Sequence, residues 1–309
     1  MKAPIQLIAA LTAAGIAAVQ LSGVGFIEKF KEILPHSNEN AETEIENEDF
    51  TPKRGKNSPI KKEEKSASRN INNAVLVSSA PQNWYCKHMK SSERPPIPPE
   101  MSWVSEHNGY FLGKDEKVIY LTFDAGYENG NVEKILNTLK SEKVPAAFFI
   151  LDNLVESNTD LVKRMIDEGH TVCNHTAKHR DMTKVSTKEA FADELSKMEQ
   201  IYKDKTGAEL SKYYRPPEGK FNEENLAWAD ELGYKTIFWS FAYADWDNEN
   251  QMSSESAINK IITNTHNGEV LLLHPTSKTN AEILPELIRQ WREMGYSFGT
   301  LDELTESGC

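Results

Sequence analysis

The stretch Val118-Ile119-Tyr120-Leu121-Thr122-Phe123 is a largely apolar run of strand length. A helical pattern follows over residues 131–140, and a second strand-like run lies at residues 146–150. Short apolar runs predict buried strands, and strands that alternate with helices predict a parallel sheet. This stretch therefore predicts the first βα unit of an α/β domain.

The same alternation continues along the chain. It predicts strands at residues 170–172, 235–239 and 270–273, and helices at residues 158–168, 187–205, 222–232, 254–265 and 281–294. This many units can close into a barrel, and in such folds the chemistry lies just past the carboxyl ends of the strands. The strand ends are therefore the places to search for site residues.

Charge and cysteine content exclude several classes of protein. Residues 1–83 carry ten Lys and Arg and ten Asp and Glu, so the net charge of −12 belongs to residues 84–309. This acidic balance argues against nucleic acid as a partner. The three cysteines include no CxxC pair, so neither a disulfide scaffold nor a structural zinc site is expected.

The N-terminal part of the chain predicts export to the cell envelope. The 25 residues between Lys2 and Glu28 are uncharged, and about 20 residues suffice to span a bilayer. Residues 1–28 are interpreted as a membrane anchor or a cleaved signal peptide, with the anchor slightly favoured because no A-x-A site ends the run.

A linker is predicted between this segment and the folded domain. Only six of the 38 residues from His36 to Asn73 are apolar, which is too few to offset chain entropy by burial. We therefore expect a disordered, charged linker over residues 29–83 and a catalytic domain over residues 84–309. No repeat or heptad predicts assembly, so a monomer is expected.

Five segments at or near predicted strand ends carry polar residues that a core does not need. They are Thr122-Phe123-Asp124-Ala125-Gly126-Tyr127, His175-Thr176-Ala177-Lys178-His179, Tyr214-Arg215-Pro216-Pro217-Glu218-Gly219, Ala244-Asp245-Trp246 and Leu271-Leu272-Leu273-His274-Pro275. Two histidines four residues apart lie on one helical face and can bind one divalent ion. On spacing alone, the alternative of two surface histidines stays open.

These five segments, in this order, resemble the NodB-like polysaccharide deacetylases of carbohydrate esterase family four over residues 103–304. The likeness is closest to the peptidoglycan N-acetylmuramic acid deacetylases that make muramic δ-lactam in spore cortex. It rests on Thr122-Phe123-Asp124-Ala125-Gly126-Tyr127-Glu128-Asn129-Gly130, Asn174-His175-Thr176, Ala242-Tyr243-Ala244-Asp245-Trp246 and Leu272-Leu273-His274. The resemblance implies a deformed (β/α) barrel of seven or eight strands and metal-dependent hydrolysis of the acetamide of an N-acetyl sugar.

The resemblance assigns the base and the metal ligands. Asp124 matches the catalytic base, and His175 and His179 match the two metal ligands. An acetamide is a poor electrophile, so a divalent ion is needed to polarise its carbonyl and the attacking water. Zn²⁺ is the expected ion, with Co²⁺ and Mg²⁺ as alternatives. Arg215 is expected to keep Asp124 ionised.

The resemblance also assigns the acid and the substrate contacts. His274 matches the general acid that protonates the leaving amine, and Asp245 matches the carboxylate that raises its pKa and fixes its tautomer. Trp246 and Leu272 match the apolar walls around the acetyl methyl. A backbone N–H near Tyr214 is expected to hold the oxyanion together with the metal.

The chain departs from the family pattern at four positions. Ala125 stands where most members have a second metal-binding aspartate, which predicts weaker or differently selective metal binding. Cys173 is interpreted as a small buried side chain, with a thiolate ligand as the alternative. Glu218 stands where close relatives often carry a basic residue, and Ala242 stands where many carry an aspartate.

The substrate and the function class stay open on sequence alone. Arg180 or Lys278 is a candidate contact for the lactyl carboxylate of stem-free muramic acid, and solvated surface charges are the alternative. The first interpretation is a muramic acid deacetylase of peptidoglycan glycan strands. The second is a deacetylase of another sugar such as peptidoglycan N-acetylglucosamine, and the third is a glycan-binding domain that has lost catalysis.

Overall fold

The computed structural model of the protein describes residues 77–89 and 92–306. The predicted anchor or signal peptide, residues 1–28, and the predicted linker up to residue 76 lie outside these residues. Among the helices of the described part, none is long and apolar enough to cross a membrane.

Eleven strands and eight α-helices form the described part of the chain. The strands are β1 Gln82–Asn83, β2 Gly109–Tyr110, β3 Val118–Ala125, β4 Ala147–Ile150, β5 Thr171–Asn174, β6 Tyr213–Tyr214, β7 Lys220–Phe221, β8 Lys235–Ile237, β9 Phe241–Ala242, β10 Glu269–Leu273 and β11 Ser297–Phe298. The helices are α1 Val132–Glu142, α2 Asp152–Ser157, α3 Thr159–Asp167, α4 Lys188–Thr206, α5 Glu223–Glu231, α6 Ser254–Asn264, α7 Lys278–Glu293 and α8 Leu301–Glu306.

Nine of the strands form one parallel sheet in the order β2-β8-β6-β5-β4-β3-β10-β9, with β11 added beside β3. β8 lies near one end of this order, where it pairs with β2 and β6, and β9 lies at the other end, where it pairs with β10. Only three residues connect β8 to β9, so the two ends of the sheet lie close together. The sheet is therefore curled, and this confirms the deformed barrel. The predicted strand at residues 235–239 corresponds to β8, and β9 is a second short paired segment after it.

The alternation of β3 separates two buried layers. Ile119, Leu121 and Phe123 belong to the large apolar cluster that lies between sheet and helices, and α1 and α7 bury their apolar stripes in it. Tyr120 belongs to the smaller cluster that includes Phe149 and Ile237 on the other side of the sheet. Because neighbouring side chains of a strand point to opposite faces, Asp124 lies on the same face as Tyr120.

The N-terminal boundary of the domain lies earlier than the predicted residue 84. Residues 82 and 83 pair with β7, and Ser78 exchanges hydrogen bonds with Glu223 and Glu224 at the start of α5. Residues 78, 82 and 83, which fall in the predicted linker, therefore contact the folded domain. Local composition gave no sign of this, since these contacts are made by backbone groups of polar residues.

Candidate active site

Parallel strands bring the candidate residues together at one edge of the sheet. Asp124 is the penultimate residue of β3, and Arg215 and His274 directly follow β6 and β10. His175 directly follows β5 and Asp245 lies three residues after β9. The carboxyl ends of parallel strands point the same way, so residues far apart in the chain meet here.

Asp124 and Arg215 form a buried ion pair. Arg215 is fully buried, and its Nη1 donates to Asp124 Oδ1 over 2.7 Å. The Nη2 of the same guanidinium donates to Thr122 Oγ1 over 2.9 Å, and Nε donates to the carbonyl of Ile237 over 2.9 Å. The Phe149 ring lies 4.1 Å from the guanidinium carbon and closes one face of it. The guanidinium group of Arg215 is thus held by hydrogen bonds to residues of the sheet, and its Nη1–H points to the carboxylate of Asp124.

This pairing keeps Asp124 ionised. Burial acts to raise the pKa of Asp124, but the charge of Arg215, with smaller contributions from His175 and His274, outweighs burial and lowers the pKa below its ordinary value. An opposite charge at hydrogen-bond distance favours the charged form of a carboxyl group. At neutral pH the group is therefore a carboxylate, and it can accept a proton.

His175 and His179 approach each other through a loop. The predicted helical face is wrong, because residues 175–179 form no helix and both Thr176 and His179 have left-handed backbone, with φ of 67° and 55°. The two imidazole rings still converge, with centroids 5.0 Å apart and planes at 68°. A left-handed conformation is unfavourable for a β-branched residue such as Thr176, so neighbouring groups must hold the loop.

Two acidic side chains brace this loop, and sequence reasoning missed both. Asp152 at the start of α2 is buried and pairs with Lys178 Nζ over 2.5 Å. Glu194 on α4 accepts from the Lys178 backbone N–H over 3.2 Å and lies 3.7 Å from the Arg180 guanidinium. Their signal in the sequence is weak, since acidic residues on helices are usually solvated.

The tautomer of His175 suits metal binding. Its Nδ1 lies 2.8 Å from the carbonyl oxygen of Arg215, so Nδ1 carries the proton and Nε2 keeps its lone pair. Nε2 lies 3.5 Å from Asp124 Oδ2. Burial lowers the pKa of His175 to about 4, so the imidazole is neutral near pH 7. A backbone carbonyl that orients a histidine in this way is a common feature of metal sites.

The donor set fits a divalent ion bound by His175 and His179, with Asp124 beside it. Across the described ranges, no three His, Cys, Asp or Glu side chains are grouped to hold an ion. Ala125 supplies no ligand, and it is fully buried in the apolar cluster that contains Phe123. Two protein nitrogens leave several coordination positions for water or substrate.

His274 is held by Asp245 on the opposite side of the site. Its Nδ1 lies 2.8 Å from Asp245 Oδ1, and its backbone N–H donates to Oδ2 over 2.8 Å. Burial acts to lower the pKa of His274, but the hydrogen bond and charge of Asp245 outweigh it, and the pKa is raised. The protonated form is favoured, so His274 can donate a proton from Nε2.

Asn280 and Tyr243 support Asp245, and sequence reasoning missed both. Asn280 Nδ2 donates to Asp245 Oδ2 over 2.5 Å, and Tyr243 Oη donates to Asn280 Oδ1 over 2.5 Å. Asn280 is placed by the first turn of α7, where its backbone N–H donates to the Ser277 hydroxyl. A serine before an apolar helix is a recognisable N-cap, so the sequence indicated the start of α7 but not the contact of the Asn280 side chain with Asp245.

The residues predicted to contact the substrate differ in how exposed their side chains are. Trp246 is 64% exposed beside Asp245, whereas Leu272 is buried in β10. The Tyr214 side chain is also buried and cannot contact a substrate, because it packs in a cluster on the inner side of α4. The next backbone N–H, that of Arg215, already donates to the Asn174 carbonyl over 3.1 Å.

The structure also places two of the departures from the family pattern, Cys173 and Glu218, and the candidate contact Lys278. Cys173 is fully buried, and burial raises the pKa of its thiol to about 12, which argues against a thiolate ligand. Glu218 has left-handed backbone with φ of 57° and pairs with Lys220 over 2.7 Å. Lys278 is exposed and lies 3.7 Å from Glu282, one turn along α7.

Comparison with known proteins agrees with this geometry. The family model described as polysaccharide deacetylase matches residues 112–237. The chain is 39% identical over 234 residues to the peptidoglycan-N-acetylmuramic acid deacetylase PdaA of Bacillus subtilis, covering 75% of this chain and 88% of that protein. It is 32% identical to a peptidoglycan-N-acetylglucosamine deacetylase of Bacillus cereus, covering 76% and 85% of the two chains.

A solved structure gives the same result. The structure of Bacillus subtilis PdaA, described as a family 4 carbohydrate esterase, superposes with a TM-score of 0.72 at 37% identity, covering 74% of this chain and 99% of that one. The resemblance deduced from the five segments is confirmed. The chain belongs to the polysaccharide deacetylase family, carbohydrate esterase family four, whose members are hydrolases of amide bonds and are generally metal-dependent.

Proposed function

We propose that this protein removes the acetyl group from N-acetylmuramic acid residues of peptidoglycan glycan strands that have lost their stem peptides. The observation that carries the proposal is the pair of oppositely tuned groups, with the Asp124 carboxylate paired to Arg215 and the His274 imidazole hydrogen-bonded to Asp245. When the surroundings of two titratable groups shift their pKa values in opposite directions, the two groups are suited to act as a general acid and a general base.

In the proposed reaction Asp124 accepts the proton of the attacking water, and His274 donates a proton to the leaving amine. An amide nitrogen cannot leave as an anion, and such proton transfers are worth about 10²–10⁴-fold in rate. His175 and His179 would hold a divalent ion, which polarises the acetamide carbonyl and the water when bound. Zn²⁺ is the ion we propose, because two imidazole donors suit it, with Co²⁺ and Mg²⁺ as alternatives.

The muramic acid substrate is supported by the likeness to PdaA, at 39% identity over 75% of this chain. The product would be the precursor of muramic δ-lactam in spore cortex. Arg180 and Lys278 remain the candidate contacts for the lactyl carboxylate, although each lies 3.7 Å from a glutamate of its own chain. The second candidate is N-acetylglucosamine of peptidoglycan, favoured by the 32% identity to the Bacillus cereus deacetylase.

We further propose that the protein acts as a monomer in the cell envelope, exported by residues 1–28 as an anchor or signal peptide. The support is the uncharged run between Lys2 and Glu28. Deletion of residues 3–27 should leave the protein in the cytoplasmic fraction of expressing cells. Recovery of the deleted form in the envelope fraction would contradict this proposal.

The decisive experiment measures acetate released by the full-length protein from peptidoglycan with and without its stem peptides. Each reaction is run with Zn²⁺, Co²⁺, Mg²⁺ or EDTA, beside His175→Ala and a matched control, His107→Ala, whose histidine lies 3.7 Å from Glu223 and is not one of the site residues. We expect metal-dependent release confined to stem-free glycan, lost in His175→Ala and kept in the control.

The alternatives give other outcomes. Equal release from both glycans, or release from N-acetylglucosamine oligomers, favours the glucosamine deacetylase. Binding of glycan without release under any metal condition favours a domain that has lost catalysis. If Arg180→Ala and Lys278→Ala leave kcat/KM on stem-free glycan unchanged, neither side chain meets the lactyl carboxylate.

A further inference from the structure

Residues 77–89, here called the strap, lie across the loop that carries Arg215. The strap pairs antiparallel with β7, and the backbone N–H of Trp84 donates to the Gly219 carbonyl over 2.7 Å. Gly219 ends the Arg-Pro-Pro-Glu-Gly segment that begins at Arg215. The strap is therefore attached to the far end of that loop.

Trp84 is the anchor of the strap. Its side chain is 5% exposed, and its indole Nε1–H donates to the Trp239 carbonyl over 2.9 Å. The indole stacks on the Phe238 ring with centroids 4.3 Å apart and planes at 21°. One side chain thus contacts the chain segment after β8 through both a hydrogen bond and a ring.

Gly219 lies in a narrow gap between two tryptophans. Its φ is +66°, and a Cβ placed on it would lie 2.7 Å from the Trp239 ring and 3.2 Å from Trp84 Cβ. A side chain at this position is excluded both by backbone conformation and by space. The loop, Trp84 and Trp239 are therefore packed as one unit.

Trp84 contacts the segment that holds the Arg215 side chain, residues 237–239, here called the cradle. The guanidinium donates through Nε to the Ile237 carbonyl over 2.9 Å and through Nη2 to the Phe238 carbonyl over 3.3 Å. The Trp239 ring lies 5.7 Å from the guanidinium carbon. Trp84 therefore touches Phe238 and Trp239 on one side, while Arg215 contacts the same two residues on the other.

We propose that Trp84 is a positioning residue for the deacetylation reaction, which acts by holding the cradle and loop that aim Arg215 at Asp124. Trp84 does not contact the reacting atoms. The proposal rests on the deacetylase chemistry proposed above and is independent of which N-acetyl sugar is the substrate. The planar fork of arginine binds carboxylates in a fixed geometry, so a small shift of the segment that holds Arg215 changes the geometry of its pair with Asp124.

The test compares Trp84→Ala and Trp84→Phe with the matched control Tyr85→Ala in the full-length protein. Tyr85 is the next residue of the strap, but it is 49% exposed, and its hydroxyl donates to Glu100 over 2.7 Å. We expect kcat to fall about 10- to 100-fold in Trp84→Ala with KM nearly unchanged, since misplacement of a reacting group by 1 Å costs about that much. Trp84→Phe keeps the ring contact but loses the indole donor, so its kcat should lie between.

A second readout separates positioning from general destabilisation. The Nε–H of Arg215 is fully buried and hydrogen-bonded, so its NMR signal, assigned with Arg215→Lys, should exchange slowly with solvent in the wild-type protein. In Trp84→Phe the signal should shift and exchange faster while backbone amides of β4 and β10 keep their protection. In Tyr85→Ala it should be unchanged.

Several outcomes would overturn the proposal. One is a folded Trp84→Ala or Trp84→Phe protein with wild-type kcat, and another is a loss of kcat with unchanged Arg215 Nε–H exchange. If Trp84→Ala does not fold, Trp84→Phe decides. If the wild-type protein releases no acetate from any glycan, the proposed function fails, whereas the exchange of Arg215 Nε–H still tests the positioning role.

Discussion

The site has a base side, Asp124 with Arg215, and an acid side, His274 with Asp245. On both sides a neighbouring charge shifts the pKa of the reactive group, but in opposite directions. Burial favours the neutral form of both Asp124 and His274, and in each case a partner of opposite charge outweighs it. Arg215 lowers the pKa of the carboxyl group, and Asp245 raises the pKa of the imidazole. The comparison shows how one cleft can favour the form of one group that accepts a proton and the form of another that donates one.

The two sides differ in what holds the partner. Arg215 is fully buried and bonds to backbone carbonyls of the segment after β8. Asp245 is held by the side chain of Asn280, which is held in turn by Tyr243. The base side is thus built into the sheet, whereas the acid side depends on a short chain of side chains. Substitutions on the base side should therefore lower the stability of the fold. Substitutions on the acid side should lower activity, by less the further the residue lies from His274.

Arg215→Met should have the largest effect, because it leaves a buried carboxylate without its partner. We expect a loss of about 3–5 kcal/mol in the free energy of unfolding near neutral pH, together with loss of acetate release. Urea unfolding in EDTA measures the first quantity. The exposed Arg292→Met, whose arginine pairs with Glu142, is the control and should change stability by less than about 0.5 kcal/mol.

The pH dependence of that loss tests its cause. The pKa of Asp124 in the folded protein lies below its ordinary value, so its stabilising effect is present above the ordinary pKa and is lost as pH falls through the folded pKa. In the variant the charge of Arg215 no longer opposes burial, so the pKa of Asp124 should be higher than in the wild type. The difference between the two proteins should therefore narrow in acid, and an equal difference from neutral pH down to acid would refute this account.

Asp245→Asn should have the next largest effect. We expect kcat/KM to fall about 10²–10³-fold, because the acid loses its charge partner and its fixed tautomer. Asp245 raises the pKa of His274 above its ordinary value, so activity should be lost as pH rises through that raised pKa. The alkaline limb of the pH–kcat/KM profile should move to lower pH in the variant. An unmoved limb would assign the acid to another group.

Asn280→Ala should lower kcat/KM about tenfold, since one hydrogen bond to a charged group is lost while the ion pair stays. The alkaline limb should move in the same direction as in Asp245→Asn, but less. Asn264→Ala is a matched control, because that side chain bonds to the Lys260 carbonyl at the end of α6. If Asn264→Ala lowered kcat/KM as much as Asn280→Ala, the loss in Asn280→Ala would be explained by helix stability and not by its contact with Asp245.

Tyr243→Phe should have the smallest effect, about threefold in kcat/KM, because it removes a hydroxyl two steps away from His274. Its effect should largely vanish in the Asn280→Ala background, where the hydroxyl has no amide to orient. Kinetics of the two single variants and the double variant measure this coupling. Additive losses would mean that Tyr243 acts independently of Asn280.

Much of the fold could be predicted from local pattern. The predicted helix at residues 187–205 is α4 Lys188–Thr206, and the predicted strand at residues 270–273 is β10 Glu269–Leu273. Both have strong periodicity or a long apolar run. The helix α2 and the pairing of β1 with β7 were missed, because a six-residue helix and two-residue strands carry too little pattern to identify.

The sequence by itself determined the barrel class, the strand ends that carry chemistry and the identity of Asp124, Arg215 and His274 as candidates. These follow from the period of apolar residues and from polar groups placed where strands end. The tertiary structure alone decided the loop that brings His175 and His179 together, the support of Asp245 by Asn280 and the contact of Trp84 with the cradle of Arg215. Such contacts join residues distant in sequence, so their distances are fixed only when the whole sheet has closed.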